Sequence, residues 1–117
     1  MLDEWLGELR RRRWVHMYFP TRESPKVHAS LFQHAGGIVD VAAIFDSATA
    51  VAYRAPIPQG GDPFDPLQVT WVFAGEPVWA VRGALALPAP GSPGEPHHLL
   101  PPPPLVRGLA ELTGLST

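Results

Sequence analysis

The hydrophobic pattern of the chain changes period at Trp14. Before it, Leu2, Trp5, Leu6 and Leu9 recur at i, i+3, i+4 and i+7, which lays one apolar stripe along a helix. Asp3 and Glu4 stand in the first turn of that helix and Arg10 to Arg13 at its end, both favoured by the helix dipole. The spacing predicts a helix to about residue 12.

After Trp14 the period is two, the mark of strands with one buried face. Residues 14–19 read as a strand ended by Pro20. Residues 27–34 and 38–45 flank the turn Ala35-Gly36-Gly37. A three-residue turn with a glycine in the left-handed region sets His34 opposite Ile38. It gathers Val27, Ala29, Leu31, Val39, Val41, Ala43 and Phe45 on one face. A two-residue turn would mix polar and apolar residues on both faces, and the buried face sets the register. A second three-residue turn, Asp46-Ser47-Ala48, adds Thr49, Val51 and Tyr53 to the same face. It places Asp40 directly opposite Arg54 on the other face, a favourable cross-strand pair. Residues 48–55 also admit a short Ala-rich helix capped by Ser47; the strand is the preferred reading.

Residues 56–66 carry prolines and glycines in the pattern of a surface loop. Residues 69–74 and 78–87, joined at Gly75-Glu76-Pro77, read as a last hairpin with Pro77 at a strand start. Val69, Trp71, Phe73, Trp79, Val81 and Leu85 then share an apolar face, with Thr70 and Arg82 on the other. The proline-rich stretch 88–104 is extended and partly polyproline II. Leu105, Leu109 and Leu112 mark a short C-terminal helix weakened by Gly108. The expected fold class is α+β: an N-terminal helix packed on a curved antiparallel sheet of about six strands. The expected organisation is one domain over residues 1–87, a linker over 88–104 and a helical tail over 105–117.

Composition narrows the function classes. The formal net charge of −2 lacks the basic surplus of a nucleic-acid binder, and Arg10 to Arg13 are accounted for by the helix end. No cysteine is present, which removes disulfides, thiolate catalysis and cysteine-ligated metals and suits a reducing compartment. No apolar run reaches the roughly 18 residues of a membrane span. The expectation is a soluble, cytoplasmic protein. Eight arginines against the single Lys26, with abundant Ala, Pro and Gly, match a GC-rich coding sequence of the kind found in high-GC bacteria.

Candidate chemistry gathers on the face opposite the predicted core, which carries His28, Ser30, Phe32, His34, Asp40, Arg54, Thr70 and Arg82. His34 and Asp40 are diagonal neighbours within possible contact, the raw material of general base catalysis. His28 and His34 lie about 20 Å apart at strand rise and cannot share a metal. His97 and His98 are adjacent on an extended chain and point opposite ways, so no metal is expected there; His16 stands alone on the first strand. No phosphate-cradling glycine motif is present. Residues 100–104 have the composition of a proline-rich docking motif but are read as linker. An exposed Trp14 would suit a partner surface.

The leading expectation is a non-enzymatic protein-interaction module of regulatory, adaptor or immunity type, without cofactor or metal. It would bind a protein partner or a second copy through Phe32, Arg54, Arg82 and Trp14, and neither nucleic acid nor membrane. The alternative is a small-ligand binder or enzyme with His34 as base, Asp40 as its orienter and Arg54 or Arg82 as an anion clamp. A third reading is a structural subunit of a larger assembly.

Overall fold

The computed structural model describes residues 2–114. A helix, α1 (Leu2–Arg11), leads into an antiparallel meander of β1 (Val15–Phe19), β2 (Val27–His34), β3 (Ile38–Ile44), β4 (Ala50–Pro56) and β5 (Trp71–Gly75). Two helices follow, α2 (Pro77–Ala86) and α3 (Pro104–Gly114). The strands lie in sequence order, β1-β2-β3-β4-β5, each antiparallel to the next. The class is α+β as the sequence implies, with five strands rather than about six.

Both hairpin turns have the expected geometry. His34 pairs with Ile38, and Gly36 and Gly37 hold φ of 85° and 77°, which glycine adopts at little cost. Phe45 N–H bonds the Thr49 carbonyl across the next turn, and Asp40 faces Arg54. Asp46 tightens this turn by accepting the Ala48 N–H at 2.8 Å.

The two faces of the sheet are both covered. Val27, Ala29, Val39, Val41, Ala43, Val51 and Tyr53 form the expected apolar face. Phe64 and Val69 of the β4–β5 connection and Val106 and Leu109 of α3 pack on it. The C-terminal helix, expected as a tail, therefore seats two fully buried side chains in this core. The intervening segment 88–103 has no helix or strand of its own, and Leu100 bridges Val69 through two backbone hydrogen bonds.

The opposite face is a second core, where the sequence reading placed a polar outer surface. The α1 stripe of Leu2, Trp5, Leu6 and Leu9 packs there with α2. Alanines make this possible: Ala42, Ala50 and Ala52 of the sheet meet Ala80 and Ala84 of α2, so the helix backbone comes close. Gly83 lets the Trp71 ring lie against α2, since a Cβ there would stand 3.0 Å from the indole. Trp14 belongs to this core and is buried, not exposed as a partner surface requires. Its position follows from the end of α1. Trp14 N–H bonds the Leu9 carbonyl, Arg13 N–H bonds that of Arg10, and Arg13 takes φ 66°, which together make a Schellman motif.

α2 replaces the second strand of the expected last hairpin. Pro77 sits at the first helical position, where its missing N–H costs nothing, and Ala80 N–H bonds the Glu76 carbonyl. The buried residues Pro77, Ala80, Val81 and Ala84 follow the helical period. Trp71 accordingly lies in the second core beside Trp5, while Val72 faces the first.

Candidate functional site

Three polar regions lie on or beside the helix-covered face. The first is the group singled out by the hairpin register. Arg54 donates from Nε to Asp40 Oδ1 at 2.6 Å and from Nη2 to Oδ2 at 2.9 Å, a bidentate pair. Arg54 Nη1 donates to the Pro88 carbonyl at 2.5 Å. His34 Nε2–H donates to Asp40 Oδ2 at 2.8 Å, since a carboxylate oxygen only accepts. Asp40 and Arg54 are each 2–3% exposed. The Phe32 ring stands edge-on to His34 at 4.8 Å and tilts against Trp14.

The sequence thus brought His34, Asp40, Arg54 and Phe32 together correctly, but on a buried face. The carboxylate that would orient His34 as a base is already neutralised by a guanidinium. The adjoining cavity, lined in part by Trp14, Phe32, His34 and Leu87, measures about 150 Å³. That is room for a few waters or a benzene-sized molecule, well below the roughly 300–1,000 Å³ of ordinary ligand pockets. The arrangement pins β3, β4 and the chain after α2 to one another.

The second region lies at the other end of the same face. The β1–β2 register sets His16 opposite Ser30 and Tyr18 opposite His28. His16 Nδ1 is 3.0 Å from His28 Nε2 and 2.9 Å from Ser30 Oγ, and Tyr18 stacks on His28 at 4.7 Å. Burial, with the charges of His16 and Arg10, pushes the His28 pKa down to about 4. Burial and Arg10 lower that of His16 as well. Sequence reasoning treated His16 as solitary because prolines and charged residues obscure the β1–β2 connection, and with it the register.

The third region was missed. Arg82, expected on a strand, projects from α2 between two indoles, 5.2 Å from the Trp5 ring centroid and 4.7 Å from that of Trp79. An open groove of about 540 Å³ runs past Trp5, Arg12, Phe73, Trp79, Arg82 and Leu85. Trp79 is 53% exposed and Phe73 36%. Arg12 is tied to Glu8 and to the Leu85 carbonyl, whereas Arg82 has no carboxylate within ion-pair distance among the described residues. The available signal was Pro77 as a helix start, which would have moved Trp79 out of the strand core.

At the far end of the chain, the His97 and His98 rings stack at 4.8 Å instead of diverging. Among the described residues no three His, Asp or Glu side chains gather as metal ligands, and no helix is long and apolar enough to cross a membrane. No family model, curated protein or solved structure matches this chain.

Proposed function

We propose that this chain is a non-enzymatic, cytoplasmic protein-binding module that takes an extended segment of a partner along the open edge of β5. The observation that carries this reading is the exposed Trp79–Arg82–Trp5 stack, next to a strand paired on one side only. Trp and Arg are the side chains most enriched at binding hot spots. An added strand supplies backbone hydrogen bonds, and alternate side chains supply specificity. Trp71 and Phe73 point to the helix-covered side of the sheet, so every second residue of an added strand would enter the groove. The lining asks for a bulky apolar side chain and a carboxylate for Arg82. A two-fold copy would set like arginines near one another, which disfavours self-association here. The bidentate Asp40–Arg54 pair and the small cavity beside it argue for a structural pin over an acid–base site.

Selection of random peptides displayed on phage tests the proposal. Enriched peptides should combine an acidic with a large apolar residue. Trp79→Ala and Arg82→Glu should each weaken them by about tenfold or more, about 1.4 kcal/mol, while His34→Ala leaves them unchanged. Peptides indifferent to both groove substitutions would refute it. So would a dimer in light scattering that Trp79→Glu converts to a monomer, since the occupant would then be a second copy.

A further inference from the structure

The basic side chains at the end of α1 are not equivalent. Arg11 and Arg12 both pair with Glu8, at 2.8 and 3.0 Å. Arg10 instead lines a separate cavity of about 420 Å³, whose wall also includes Arg22 from the β1–β2 connection. His16, Met17 and Tyr18 complete the lining. Neither arginine forms an ion pair among the described residues, and no carboxylate lines the cavity. Two guanidinium groups from different elements thus share one concavity without a counter-ion.

Behind the arginines, the inner wall is held in place. Among the described residues, His16 Nε2 is the buried side-chain polar atom without a hydrogen-bond partner. Its ring is held from the other nitrogen, by His28 Nε2 and Ser30 Oγ. Tyr18 is likewise fixed, stacked on His28 with an interplanar angle of 11°.

We infer that this cavity binds a phosphate monoester, its dianionic group held by Arg10 and Arg22. Guanidinium forks match phosphate oxygens bidentately, and two of them balance two charges. The volume exceeds that of a phosphate group, and the Tyr18 ring offers an apolar surface to the organic part. This site is separate from the β5 groove and stands or falls independently of it.

The test is titration of the full chain with phenyl phosphate, followed by amide and histidine NMR shifts, with inorganic phosphate and mixed-sequence single-stranded DNA as comparison ligands. Saturable binding of phenyl phosphate should perturb His16 and Tyr18. Arg10→Gln and Arg22→Gln should each weaken it by about tenfold or more. Arg13→Gln, at an exposed arginine outside the cavity, should leave it unchanged. Inorganic phosphate should bind the same residues more weakly. Absence of saturable binding would overturn the inference, as would binding indifferent to Arg10 and Arg22. Tighter binding of DNA that depends equally on Arg11, Arg12 and Arg13 would also overturn it, by making the basic run a nucleic-acid surface.

Discussion

The two faces of this sheet are built by opposite strategies. One is closed by large apolar side chains, with Val41, Val51, Tyr53, Val106 and Leu109 fully buried, and its main polar atom there, the Tyr53 hydroxyl, is spent on the Pro63 carbonyl at 2.6 Å. The other pairs alanines with alanines so that α2 lies close, and then buries Asp40, Arg54 and Ser30 in the same layer. The first face depends on the volume it fills. The second depends on the pairing of its buried charges, because a buried charge without its partner costs far more than a missing methylene.

The largest separation of the two strategies is expected from Asp40→Ala. It strands the Arg54 guanidinium and should cost about 3–5 kcal/mol in denaturant unfolding. Pairing Asp40→Leu with Arg54→Met should recover much of that loss, since a well-packed apolar pair substitutes for a buried ion pair. A double variant no more stable than Asp40→Ala would show that the network supports the face in some way other than charge satisfaction. On the apolar face, Leu109→Ala should cost about 2–4 kcal/mol through lost burial and the cavity left behind. A loss below about 1 kcal/mol would mean that α3 contributes little to the body.

A smaller effect sharpens the contrast through pH. His28 protonates near 6.5 in the unfolded chain but near 4 in the folded one. Between those values the unfolded state binds more protons, so stability is full above pH 6.5 and declines as pH falls toward 4. The lowered pKa of His16 acts with the same sign. Unfolding midpoints measured across that window should fall with acidity in the native chain and fall less in His28→Gln. An equal decline in both would place the sensitivity elsewhere.

The contrast also explains what the sequence disclosed. Alternation and turn chemistry were sufficient for β2, β3 and β4, because Gly36-Gly37 and Asp46-Ser47-Ala48 admit one register that keeps Val41, Val51 and Tyr53 together. The Asp40–Arg54 and His34–Asp40 contacts followed from that register alone. The helix-covered face was illegible for the same reason that it works. Asp40, Arg54, His28 and Ser30 read as solvent-facing, and the alanines between them carry too little hydrophobic signal to announce a second core. α2 was misread because residues 77–86 are apolar on several sides. The helix lies between the sheet, α1 and the Trp79 groove, so its odd positions imitate a strand while Pro77, Ala80, Val81 and Ala84 keep the helical period. Trp79 and Arg82 were consequently given the wrong element, and the groove between them was invisible.

The strand order has a consequence for how the chain reaches this structure. Each strand lies beside its neighbour in sequence, so every step of sheet growth closes a loop within one hairpin connection. The entropy lost at each step is small, and low contact order is associated with rapid folding. The exceptions are α1, at whose end Arg12 reaches the Leu85 carbonyl 73 residues away, and α3. The Val106 and Leu109 side chains of α3 join a core built from β2, β3 and β4, across the segment that Arg54 anchors at Pro88 and Val69 holds at Leu100. Sealing each face is therefore a long-range closure added to a locally assembled sheet, by α3 on the apolar side and by α1 against α2 on the other.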